Sequence, residues 1–240
     1  MDILKKNIAT LWNLAALAVL LSVCSCTLLG LELQQDHKHE VNILSPEIHM
    51  DAWQFINTPL EDTLRSFDRF VDAVVYAGLE DEYTKPGRTF LVFNNYAILR
   101  YNSSGTVNSG CYFGRNTVPV LDEDGNPVLD EDGEPMMRPG RRWEDYPVEQ
   151  VRELLLYHIL EGEYSYHNLG PDNTVVQSLS PNNEANLVYL QIQNTQTSKL
   201  AVNAFQGSIQ TTLARTANLK ATNGYIHVFD AYLRYGVEMQ

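Results

Sequence analysis

NGYIHVFDAYL (residues 223–233) is the stretch on which the fold turns. Asn-Gly is a tight-turn signal. Beyond it Tyr225, His227 and Phe229 share one face of an extended chain, and Ile226 and Val228 share the other. His227 is a lone histidine in an apolar setting. Such a ring is expected to be buried, hydrogen-bonded and structural.

The preceding residues read as β in the same way, with candidate strands at 174–179, 187–193, 199–203 and 216–221. Asn182-Asn183 supplies a second turn signal. An antiparallel sheet assembly with a few packed helices is expected, of the α+β kind.

LLLYHILEGEY (residues 154–164) sets a tyrosine beside a histidine in an apolar run. Asp145 and Pro147 are start signals for a helix that should run to about Leu160 and stop at Gly162. Val148, Val151, Leu154, Leu155 and Ile159 form its apolar stripe, and His158 falls inside it. Tyr157 projects about 100° away, so the two rings should diverge and not act together on one atom. His158 is therefore predicted to be a core histidine. No HExxH, GxSxG, Gly-rich phosphate loop or CxxC is present, so no catalytic residue, metal site or cofactor is expected and the chain reads as a non-enzyme.

Thr58-Pro59 opens a second amphipathic pattern, with Leu60, Leu64, Phe67, Val71, Val74 and Val75 within one stripe. It predicts a core-facing helix ending near Gly78. Lys85-Pro86-Gly87 is a turn, and TFLVF (residues 89–93) is short and apolar enough for a buried strand. Asn94 and Asn95 can cap a short helix after it.

Residues 102–146 break the pattern. VLDEDGNPVLDEDGEP repeats every eight residues, with Asp124-Gly125 and Asp132-Gly133 as tight turns. The carboxylates lack the alternate ligand spacing and closing Glu of a calcium loop. A hairpin-like excursion with a solvated acidic tip is expected. Met136, Met137 and Trp143, if exposed on it, would favour docking.

The 240-residue chain carries a formal charge of -13, which disfavours nucleic acid as a partner. Its first 26 residues stand apart: Lys5 and Lys6, a mostly apolar run over residues 8–23, then VCSC. These are the parts of a secretory signal, and the small Ser25 before Cys26 resembles a bacterial lipobox with Cys26 as the lipidated residue. An uncleaved membrane helix is the alternative reading. Residues 27–50 read as a tether. His37, His39 and Glu40 within it are read as solvated. Removing residues 1–26, whose net charge is +1, takes -13 to about -14 and leaves Cys111 with no disulfide partner once Cys26 is acylated.

Taken in order, four segments resemble the fasciclin-like (FAS1) domain family. NGYIHVFDAYL resembles its closing motif, N-G-x-I-H-V-I-D-x-V-L. LLLYHILEG (residues 154–162) resembles its central Tyr-His motif. TFLVFNNYAI (residues 89–98) resembles its opening motif, T-V-F-A-P-T-N-x-A-F, with Thr89, Asn95 and Ala97 in register. AVVYAGLEDEY (residues 73–83) resembles the helix before it. Phe93 stands where the family has Pro, Ile98 replaces an aromatic, and the 102–146 insertion is longer than the usual connection.

The resemblance implies a single wedge-shaped β-sandwich with packed helices over residues 51–240. It implies Thr89, Asn95, Asn223, Gly224, His227 and Asp230 as structural motif residues, and Tyr157 and His158 as binding candidates. It further implies a non-catalytic adhesion or interaction module with a protein or glycan partner. With a lipidated N-terminus, the chain is similar to outer-surface lipoproteins of Bacteroidota-type bacteria. The alternative expectation is an accessory lipoprotein of an outer-membrane uptake complex, docking through the 102–146 insertion.

Overall fold

The strand that carries His227 pairs in parallel with the strand that carries Thr89, register partners running from Arg88–Gly224 to Phe93–Phe229. A computed structural model describes residues 47–181 and 186–234. Its helices are α1 (Ala52–Ile56), α2 (Asp68–Ala77), α3 (Asn95–Ile98), α4 (Tyr112–Arg115) and α5 (Val148–Tyr157). Its strands are β1 (Arg88–Phe93), β2 (Val118–Pro119), β3 (Met137–Arg138), β4 (Ile159–Glu161), β5 (Thr174–Gln177), β6 (Leu187–Ile192), β7 (Leu200–Val202), β8 (Thr212–Leu213), β9 (Thr216–Ala221) and β10 (Gly224–Phe229). One sheet has the order β4-β1-β10-β9 and a second the order β5-β6-β7-β8. They meet where the Leu179 amide donates to the Ile159 carbonyl at 2.8 Å. The result is the expected α+β fold, a wedge-like β-sandwich with helices.

The expected purely antiparallel assembly is corrected at the centre, because β1 and β10 are parallel. A parallel pair needs a long crossover, and here the rest of the domain supplies it. Hairpin signals mark only antiparallel neighbours, so nothing local announced this pairing. Both strands are buried almost throughout, as parallel strands usually are.

Gly224 makes the pairing sterically feasible. Its φ is +152°, and a Cβ there would lie 1.9 Å from the Arg88 carbonyl oxygen. Only glycine tolerates that approach.

Three helical expectations change. The helix expected from Thr58 is α2, which begins at Asp68 and ends as expected at Gly78 in the left-handed conformation. Leu60 and Leu64, expected in its stripe, are 44% and 50% exposed, and Val75 is also exposed. The Asp62 carboxylate accepts the Leu64 amide at 3.1 Å, a local turn that competes with helix. The buried face is Phe67, Phe70, Ala73, Val74 and Ala77, and Phe70 packs edge-on against Phe93 of β1 at 4.7 Å. Asn95 does not cap its own helix; its Oδ1 accepts the Arg69 amide of α2 at 2.9 Å. The helix expected to reach Leu160 is α5, which stops at Tyr157 with His158 as its C-cap, because Ile159 and Leu160 leave to pair with β1 as β4.

Residues 102–146 divide into core and arm. Trp143, considered as an exposed docking residue, is only 3% exposed. Its indole N–H donates to the Arg69 carbonyl at 2.6 Å, and it packs with Tyr112 and Phe113. Trapping this ring under α2 removes its apolar area from water. The arm between β2 and β3 does protrude. Val120, Val128 and Met136 close a ring of three backbone hydrogen bonds, each 2.8 Å. In both repeats an aspartate, Asp122 or Asp130, accepts two following amides with one Oδ1.

The signal segment, Cys26, most of the 27–50 tether with His37, His39 and Glu40, and the Asn182-Asn183 turn lie outside the described residues. The end of the tether reading is corrected: the Ile48 amide donates to the Lys220 carbonyl at 3.0 Å, placing residues 47–50 along the edge of β9. β8 was not foreseen, its two residues being too few to show a period.

Gly224→Ala should lower the unfolding free energy by roughly 3 kcal/mol or more in a urea titration, since the backbone must separate from β1. A loss under about 1 kcal/mol would contradict the close-approach account.

Candidate functional site

The side chains singled out by sequence converge on β1, β10 and the segments they hold. The Thr89 hydroxyl donates to the Gly162 carbonyl at 2.9 Å and accepts the Tyr164 amide at 2.8 Å. From the neighbouring strand, His227 Nε2 lies 3.0 Å from the Tyr164 carbonyl, while its Nδ1 accepts the Asn218 amide at 3.0 Å. Two strands thus fasten the same loop after β4. His158 links α5 to the chain beyond β10: its Nδ1 lies 2.7 Å from the Leu154 carbonyl, and its Nε2 accepts the Leu233 amide at 2.9 Å.

These partners fix the tautomers. A ring nitrogen facing a carbonyl must carry the proton, and one receiving an amide must not. His158 therefore holds its proton on Nδ1 and His227 on Nε2. Burial pushes both imidazoles down to about 4, opposed only by the carbonyl hydrogen bonds. Both rings are neutral near pH 7 and both nitrogens of each are engaged with backbone. Neither has a free lone pair to bind a metal or accept a substrate proton.

Tyr157 is buried too, and its ring meets His158 edge-on at 5.9 Å and 87°. Its hydroxyl donates to the Leu187 carbonyl at 3.3 Å and accepts from Asn203 Nδ2 at 2.9 Å. As the domain is folded, neither binding candidate is offered to a partner at the surface.

The remaining motif residues also join distant segments. Asn223 accepts the Ala52 amide at the start of α1 and donates to the Tyr83 carbonyl. Asp230 accepts from Asn94 at 2.6 Å and pairs with Arg215 at 3.0 Å. Sequence reasoning missed Asn203, which has φ +55° and touches Tyr157, Tyr189 and the Arg234 carbonyl. An Asn directly after the apolar run LAV was the available signal. Cys111 is free and buried, donating to the Asn108 carbonyl.

Among the described residues no three His, Cys, Asp or Glu side chains converge as a metal site, and no helix is long and apolar enough to cross a membrane.

The family model described as Fasciclin domain matches residues 141–234, a stretch holding Tyr157, His158, Asn223, Gly224, His227 and Asp230. Fasciclin domains are typically adhesion and interaction modules and generally non-enzymatic. Among solved structures, the chain is similar to a FAS1 domain pair from the insect cell adhesion molecule fasciclin I. Identity is 18% and the TM-score 0.42, over 72% of this chain and 46% of that one. The chain thus spans about half the length of that neighbour. No curated protein matches it.

Replacing His158 or His227 with Ala should each cost about 2–4 kcal/mol, leaving a cavity and unpaired backbone groups. The pH dependence follows from the lowered values. The unfolded imidazole binds a proton below about 6.5 and the folded one only below about 4. Stability from each ring is full above 6.5 and is lost as pH falls towards 4, by ~3 kcal/mol per ring. Melting across that window checks this. Each single variant should show a shallower acid slope than the parent, and an unchanged slope would contradict the buried neutral rings.

Proposed function

We propose that the protein is a non-catalytic adhesion or interaction module, residues 51–240, held at the cell envelope by a lipid on Cys26. Its partner on this reading is a protein or glycan at the cell surface, not nucleic acid. One observation carries it: the reactive side chains of the motifs are spent on internal hydrogen bonds, so whatever the domain does is done by its outer surface. The outer membrane is the expected location, by analogy with lipidated bacterial relatives of this domain class.

A second reading is favoured by the arm. Leu121 and Leu129 are 55% and 56% exposed, and Met136 and Met137 are about half exposed. The arm's base is clamped: Arg138 donates to both carboxylate oxygens of Asp145, at 3.0 and 3.2 Å. Asp145 also accepts the Arg141 amide, and with Arg138 as the main cause its carboxyl falls to about 2. A rigid base and exposed apolar side chains beside the acidic turns suit docking onto a larger assembly such as an uptake transporter.

Cys26→Ser should shift the protein from the membrane to the soluble fraction. Retention would favour an uncleaved apolar helix. Replacing residues 120–136 with Asn-Gly keeps Val118 and Arg138 and should change stability by no more than about 0.5 kcal/mol. On intact cells this variant should lose crosslinks to neighbouring proteins. An undiminished crosslinking pattern would remove the arm from the account.

A further inference from the structure

A groove of about 360 Å³ lies between the loop after β4 and the turn joining β6 to β7. Its walls carry no charged side chain, whereas the grooves around Arg69 and Asp72, Arg138 and Arg141, and Asp62 and Arg65 are lined by ionised groups. In a chain of net charge -13, an uncharged concave surface is a chemical distinction. We propose that this groove binds a neutral saccharide. The proposal rests on the interaction-module reading and names a ligand class and a site for it.

The walls are preorganised. Tyr166 is 41% exposed, and its backbone amide donates to Asn218 Oδ1 at 2.9 Å. The main chain that carries this ring is therefore fixed, and the side chain is open to solvent. The Ile192 amide donates to the Gly170 carbonyl at 2.7 Å and fixes the loop wall against β6. The opposite wall is closed by Gln193 to Lys199 at 2.9 Å and Ser198 to Thr195 at 3.0 Å. Little ordering is left to be done on binding, which favours affinity for a small ligand.

The lining chemistry selects the class. Tyr166, Pro171 and Ile192 offer apolar faces, and Gln193, Asn194 and Ser198 stand beside them. Each amide carries both a donor and an acceptor, and the serine hydroxyl, which donates to the Thr195 carbonyl at 3.2 Å, keeps its lone pairs to accept. A neutral pyranose presents the complement: a C–H face for an aromatic platform and adjacent hydroxyls that donate and accept. A carboxylated or sulfated ligand would find no counter-charge on these walls, and a purely apolar one would leave the amides unpaired. The volume is at the lower end of ligand sites, enough for one or two sugar rings.

The test uses the full chain in detergent solution. The probes are glucose, galactose, N-acetylglucosamine and their β-linked tetrasaccharides, with polygalacturonate and a tetra-alanine peptide as alternatives. At least one neutral saccharide should bind with an affinity unchanged between low and high salt. Tyr166→Ala should weaken it at least tenfold, and Asn194→Ala, at an exposed position, several-fold with unchanged melting. Tyr166→Trp should retain binding and report it by fluorescence. Failure of every neutral saccharide overturns the proposal, as does binding that survives Tyr166→Ala, or binding by the peptide or the polyanion alone. Loss of saccharide binding alongside intact arm-dependent crosslinking would sink this groove while leaving the interaction module standing.

Discussion

The parallel contact between β1 and β10 is the constraint on which the other elements depend. It joins strands from opposite ends of the domain, so it cannot form until the intervening chain has been arranged. Long-range pairing of this kind carries a loop-closure cost with no local compensation. The register is set at one end by Gly224, whose missing Cβ lets the two backbones approach. The strands bury Phe90, Val92, Phe93, Ile226, Val228 and Phe229, and that apolar area is the driving force.

Burial alone would not select this pairing over a slipped one. The polar side chains favour it, because each finds its partner in the observed register. Thr89 and His227 reach the same loop from adjacent strands, His158 reaches Leu233, and Asn223 reaches α1. Removing any one would leave a backbone group buried without a partner, a larger penalty than the net gain of a typical hydrogen bond. The motifs that look chemical in the sequence are therefore registration devices. On the proposed function, interaction is left to the exposed features: the arm and the uncharged groove beside Tyr166.

Much of this was legible in the chain. The two-faced YIHVF after its Asn-Gly turn and the short apolar TFLVF gave both central strands, and the lone imidazoles were read as buried from their apolar company. The partners were not legible, since residues far apart in sequence meet only through the tertiary fold. The same limit explains α2: Leu60 and Leu64 fit a helical stripe, but Asp62 and the distant Asn95 decide where the helix begins. It also explains Trp143, whose neighbours Arg69 and Phe113 come from two other elements. The groove beside Tyr166 had no signal, being assembled from two turns.

Long-range proton–nitrogen NMR correlation of the imidazoles is the most direct probe of this arrangement. The account predicts two neutral rings of opposite tautomer near pH 7, His158 protonated on Nδ1 and His227 on Nε2, with neither titrating before the protein unfolds in acid. Rapidly averaging tautomers, or a reversible titration near 6.5 in the folded protein, would show that these rings do not hold the two strands in register.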